Sequence, residues 1–234
     1  MENGRILLVE DDSTLSFIVK RYLESKEYSV TTAESVQRAR DEMQKQSFDL
    51  VLLDMMLPDG VGTDVCAYIR RTSFCPIIFM SCLNDKETKL RAFEMGGDDY
   101  ITKPVDFDEL TMRIQANIRR EHQYNLGRST SAEEHYGGLV IRRKSHEVFF
   151  EGENEEIGEA IDLSPTEYKL LLAMMDKPGE LFLYHELYRT VWDADDLGDS
   201  SIVMVHISNL KKKLGETGKT LIRTVRGAGY IFGT

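Results

Sequence analysis

The chain has 234 residues, long for one compact domain and enough for two that each bury a core. Its formal net charge of −11 and pI near 5.0 exclude a protein that coats nucleic acid or anionic membrane with its whole surface, while leaving a local basic patch open. No run of eighteen apolar residues and no charged-then-apolar leader at Met1 marks a bilayer span or export, so the expected compartment is the cytoplasm, with no membrane partner. Cys66, Cys75 and Cys82 are odd in number and lack C-x-x-C spacing. They read as small core residues rather than a disulfide framework or a zinc site.

In chain order, Arg5 opens a strand (RILLVE), followed by helical period over Ser13–Ser25, the strand YSVTTA, a helix to Gln44 and the strand LVLLD ending at Asp54. Next come a helix over Asp64–Arg71, the strand PIIFMS, a helix over Asp85–Met95, the short strand YIT and a helix over Asp106–Arg120. Near-continuous apolar strands alternating with helices predict a five-stranded, doubly wound parallel sheet, for which the strand order 2-1-3-4-5 is taken. Polar residues close the strands: Glu10 and Asp11 the first, Asp54 the third, Ser81 the fourth, Lys103 the fifth. In that order these side chains converge on the crevice at the switch point. Two unit charges about 4 Å apart repel by roughly 4 kcal/mol at an effective dielectric near 20, so clustered carboxylates require a cation or must protonate. An all-oxygen set favours Mg²⁺.

The hydrophobic period stops over 121–138, EHQYNLGRSTSAEEHYGG, which gives a domain over 1–121, a linker over 122–137 and a second domain over 138–234. That second half has short strands (LVIRR, EVFFEG), an acidic loop, and a capping-box helix start at Ser164-Pro165 with Glu167. A helix over His185–Val191 and another over Ser200–Leu214 follow, then two short strands around Gly227 and Gly229. Three helices and a hairpin predict an α+β winged helix-turn-helix. In the third helix Val203, Ile207, Leu210 and Leu214 form the inward stripe, leaving Met204, Val205, Ser208, Asn209 and Lys212 outward with Lys211 and Lys213 beside them. Residues 204–234 hold six bases against one acid, so the basic patch that the net charge left open lies here. Such a helix fits the major groove of DNA, and Arg226 between glycines fits phosphates or the minor groove.

LLVEDD, LLDMMLPDG, PIIFMS and GGDDYITKP resemble, in order and spacing over residues 4–121, the receiver domain of two-component response regulators, a flavodoxin-like fold. LSPTEYKLL, GDSSIVMVHISNLKKKL and LIRTVRGAGYIF resemble the output domain of the OmpR/PhoB family over 138–234. The resemblance implies that Asp54 accepts a phosphoryl group from a sensor histidine kinase. Glu10, Asp11, Asp54 and the backbone carbonyl of Met56 would hold Mg²⁺, Lys103 would pair with phosphoryl oxygens, and Ser81 with Tyr100 would form the switch. It also implies phosphate contacts from Trp192, His206, Lys211, Thr224, Arg226 and Tyr230 to promoter DNA, and base readout by Met204, Val205, Ser208 and Asn209. A homodimer through the receiver would pair Lys89 with Glu109, Asp99 with Arg113 and Asp98 with Arg120, and RNA polymerase stands as a further partner.

Asp12 and Asp59 read as capping or turn residues, and Trp192 equally as core. Ser81, Gly97, Val105, Ser201 and Met204 stand where the family more often has Thr, Ala, an aromatic residue, Arg and Asp. Losing one cationic phosphate contact at 201 flattens the salt dependence of DNA binding by about one unit of slope. Two other readings stand beside this one. In a small-molecule phosphatase Asp54 would be the nucleophile, but the second acid favouring it, two residues on, is Met56. In a receiver that works without phosphate, the acids would be structural only.

Overall fold

The computed structural model describes residues 3–82, 86–126, 133–152, 157–192 and 201–233. The chain divides into two compact units, Met1–Arg120 and Glu121–Thr234.

The first unit contains β1 (Arg5–Val9), α1 (Ser13–Ser25), β2 (Ser29–Ala33), α2 (Val36–Lys45) and β3 (Leu50–Asp54). It continues through a small hairpin, β4 (Met56–Leu57) and β5 (Gly60–Val61), to α3 (Gly62–Thr72), β6 (Ile77–Ser81), α4 (Lys86–Glu94), β7 (Asp99–Thr102) and α5 (Phe107–Leu126). The parallel sheet runs β2-β1-β3-β6-β7. Because the β4–β5 hairpin stands outside it, this is the predicted order of the five sheet strands. Ile6, Leu8, Leu50, Leu52, Ile78, Met80 and Ile101 pack on one face against Val19 and Leu23 of α1 and Leu110, Ile114 and Ile118 of α5. Alternation sends Leu7, Val9, Val51, Leu53, Ile77 and Phe79, all fully buried, to the other face. Burial on both faces explains why these strands read as unbroken apolar runs.

Helix boundaries follow local chemistry. Asp12 caps α1, its carboxylate accepting from Thr14 N and Leu15 N. A Cβ at Gly97 would meet the ring of buried Phe79, so an alanine has no space here. Among the cysteines, Cys66 and Cys75 are buried, but Cys82 is exposed, which corrects its reading as a core residue. It lies just past β6, where the chain leaves the sheet.

The second unit opens with an antiparallel sheet, β11-β10-β9-β8, of β8 (Glu134–Tyr136), β9 (Leu139–Arg142), β10 (Glu147–Glu151) and β11 (Ile157–Ala160). The segment read as a linker thus carries the end of α5 on one side and β8 on the other, while residues 127–132 lie outside the described residues. β8 lacks an apolar run because it is an edge strand, held by Tyr136, whose ring lies 5.3 Å from that of Phe232, and by Glu134, which accepts twice from Arg143. Next come α6 (Pro165–Met175), β12 (Leu181–Leu183), α7 (Tyr184–Trp192), α8 (Ser201–Lys213), α9 (Gly215–Leu221), β13 (Ile222–Val225) and β14 (Gly229–Phe232). Strands β12, β14 and β13 form the second sheet of this unit. The capping box is present: Glu167 N donates to Ser164 Oγ and Ser164 N to Glu167 Oε2. The sequence pattern predicts neither β12 nor the short helix α9.

Candidate functional site

The carboxyl ends of β1 and β3 deliver Glu10, Asp11 and Asp54 to one spot, their nearest carboxylate oxygens all within 4.8 Å of one another. Glu10 and Asp54 are buried and Asp11 is exposed, so the cluster has a closed floor and an open mouth. From the end of β7, Lys103 reaches in between them, with Nζ 2.5 Å from Asp54 Oδ2 and 2.7 Å from Glu10 Oε2. Burial works against the Lys103 ammonium, yet hydrogen bonds and charge from Asp54 and Glu10 outweigh it and hold its pKa above the ordinary value. Burial, reinforced by the Asp54 charge, pushes the Glu10 carboxyl above its usual range despite Lys103. One ammonium therefore compensates three carboxylates incompletely.

The residues present fit Mg²⁺. All the donors are oxygens, and exposed Asp11 opens the cluster to solvent. Asp54 Oδ1 accepts from Met56 N at 3.1 Å, which folds the β4–β5 hairpin back over the acid. Asp59 pins that hairpin from outside, accepting from Val36 N and Gln37 N at the start of α2. These backbone donors, Gln37 first, hold the Asp59 carboxyl below its usual range. A Cβ at Gly62 would overlap the Asp54 carbonyl, so glycine lets the chain close directly beneath the acid.

Ser81 is buried at the end of β6, and its carbonyl accepts from Lys103 N at 2.8 Å. Tyr100 is buried as well, with Phe93 edge-on at 6.5 Å and Lys89 Nζ 5.6 Å from its ring centroid.

The residues expected at a dimer surface are placed differently. Asp98 is fully buried in its own chain, where its Oδ2 accepts from Arg70 Nη2 at 2.5 Å and from Ile77 N at 2.9 Å. This corrects its assignment to a partner-facing pair: a carboxylate this deep is stable only beside a cation and donors of its own domain. Asp99 pairs with Arg113 at 2.7 Å within one chain, and Glu109 joins the same guanidinium at 2.8 Å. Those two acids raise the Arg113 pKa against the effect of burial. The side chain of Arg120 lies outside the described residues.

In the second unit, α8 buries Val203, Ile207, Leu210 and the following Leu214 and exposes Met204, Ser208 and Lys212, with Val205 and Lys211 partly exposed. Thr224 and Arg226 are exposed on the terminal hairpin. Four further residues expected to face nucleic acid do not. Trp192 is buried and stacks on Tyr188 at 5.1 Å, His206 is fully buried 5.5 Å from Trp192, and Asn209 and Tyr230 are buried. His206 lies three residues after Val203 and four before Leu210, inside the inward stripe, so the helical period carried this signal. Burial, with Tyr184 adjacent, pushes the Tyr230 hydroxyl up to about 12. Lys213, itself exposed, reaches Glu167 at 2.7 Å, which is fully buried in the capping box. Asp59 is legible as a capping or turn residue, though not which helix it meets, while Arg70 and Lys213 show no sequence signal for their pairs, because Asp98 and Glu167 lie far along the chain.

Residues 6–115 match the family model of the response regulator receiver domain, and residues 158–232 that of the transcriptional regulatory protein, C terminal. The chain is 37% identical over 227 residues to the transcriptional regulatory protein AfsQ1 of Streptomyces coelicolor, covering 96% of each. It is 35% identical over 237 residues to the phosphate regulon transcriptional regulatory protein PhoB of Pseudomonas aeruginosa, covering 100% of this chain and 99% of that one. Among solved structures, a mutant of RitR superposes with a TM-score of 0.80 at 29% identity, covering 98% of this chain and 99% of that one.

Proposed function

The chain belongs to the OmpR/PhoB family of two-component response regulators, and from that premise we propose that Asp54 is the residue that receives the phosphoryl group, from a sensor histidine kinase. Phosphorylation-dependent regulation of transcription is the activity of a chain with these two domains. The observation that carries the assignment is Lys103 bridging Asp54 and Glu10 beside Asp11.

A carboxylate oxygen of Asp54 attacks phosphorus, an acyl phosphate O–P bond forms, and the N–P bond to the kinase histidine breaks, leaving a neutral imidazole once a proton is returned. Glu10, Asp11, Asp54 and the Met56 carbonyl would hold Mg²⁺, which supplies charge neutralisation for the phosphoryl oxygens. Lys103 moves from the carboxylates to a phosphoryl oxygen over a short distance. Ser81 donates its hydroxyl to another, and Tyr100 follows Ser81. The same groups position water for the later hydrolysis, so the receiver assists its own phosphorylation and dephosphorylation.

The output is binding of promoter DNA through the exposed face of α8 (Met204, Val205, Ser208, Lys211, Lys212) and the hairpin residues Thr224 and Arg226. A phosphorylation-favoured homodimer would set two such helices on successive half-sites roughly one helical turn apart. Such a dimer would use Lys89, Asp99, Glu109 and Arg113 only by exchanging pairs now made within one chain. Wild type incubated with Mg²⁺ and radiolabelled acetyl phosphate takes up label and Asp54→Asn takes up none, while sedimentation with beryllofluoride shows a doubled mass for wild type alone. Equal labelling of Asp54→Asn overturns the assignment, and an unchanged mass overturns the dimer.

A further inference from the structure

Between α8, α9 and the terminal hairpin the second unit has an open cleft of about 320 Å³. Lys211, Lys212 and Ser208 line it from α8, Lys219 from α9, and Thr224 and Tyr230 from the hairpin. Among the described residues no carboxylate lines it. Three lysines and the hydroxyl-bearing Ser208 and Thr224 around a cleft of this size suit a tetrahedral oxyanion, while Tyr230 forms its buried wall.

We infer that this cleft seats one phosphodiester of the DNA backbone and that Lys219 is a phosphate contact, held there by the short helix after the recognition helix. The inference rests on the reading that this unit binds DNA, and it adds a cation from α9 to contacts otherwise drawn from α8 and the hairpin. Lys219 now pairs with Glu216 at 2.6 Å, with side chains 68% and 88% exposed. An ion pair so open to water is worth little, so a phosphate can displace the carboxylate. Glu216 thus competes with DNA for the lysine. Free inorganic phosphate presents the same oxygens, but the cleft is open on its outer side, which suits a group attached to a strand running past it.

Fluorescence anisotropy of the full chain with a labelled duplex of arbitrary sequence, at KCl from about 50 to 300 mM, tests this through counterion release. Lys219→Gln is expected to reduce the slope of log K against log salt by about 0.9, Lys219→Arg to restore it, and Glu216→Gln to tighten binding. Lys45→Gln, the same charge change on α2 of the other unit, keeps the wild-type slope. A wild-type slope for Lys219→Gln, or an equal loss for Lys45→Gln, overturns the contact. So does phosphorus NMR showing Lys219-dependent binding of inorganic phosphate while the DNA slope is indifferent to Lys219. Failure of wild type to bind the duplex at any salt overturns the DNA-binding reading itself.

Discussion

Lys103→Ala is expected to slow labelling of Asp54 by acetyl phosphate by a factor of ~10²–10³ at saturating Mg²⁺, the usual loss when one preorganised charge partner of a developing oxyanion is removed. The geometry sets the direction. Lys103 Nζ lies within 2.7 Å of both Glu10 and Asp54, two buried carboxylates, and it is the only cation the described residues bring to them. Removing it also leaves acids that repel by roughly 4 kcal/mol per pair at about 4 Å and an effective dielectric near 20. A second effect follows in the opposite sense: the metal-free variant melts lower than wild type, and saturating Mg²⁺ raises its Tm by more than it raises that of wild type. Calorimetry with and without Mg²⁺ reads this independently of phosphorylation. An unchanged labelling rate together with an unchanged Mg²⁺ response would remove Lys103 from the site.

Asp98→Ala is expected to destabilise the receiver by about 3–5 kcal/mol, because it strands a buried guanidinium. Arg70 has 9% of its side chain exposed and Asp98 none. Arg70 also donates from Nε to Gly96 O and from Nη1 to Cys75 O, so the pair ties α3 to the loops before β6 and β7. The Ile77 N–H would lose its carboxylate acceptor too. Urea unfolding of Asp98→Ala, Arg70→Met and the double variant, read as a cycle, should give a large coupling energy for these contacting residues. A role for Asp98 in a subunit contact predicts something else, a loss of dimer mass with the monomer's unfolding midpoint unchanged.

Alternating apolar strands and helices, strand-end acids at 10, 11 and 54, and the helical stripe through Val203, Ile207, Leu210 and Leu214 are local patterns of period and position. They carried the succession of strands and helices, the acids at the strand ends and the inward stripe of α8. The stripe also contained His206, but there the family resemblance pointed outward and burial prevailed. Trp192 and Tyr230 ended inside for a related reason: an aromatic ring with a polar edge serves a core and an interface equally well by composition.

The amino-acid sequence by itself determined the two-domain architecture and which charged groups close the sheet, because both follow from short-range periodicity and from right-handed βαβ connection. Tertiary structure alone decided which charges are paired and where. Asp98 with Arg70, Asp59 with the start of α2, Lys213 with Glu167 and Lys219 beside the hairpin join residues that are distant in sequence or that depend on a helix with no apolar period of its own. Ion pairing depends on distance and burial after folding, and a linear pattern encodes neither.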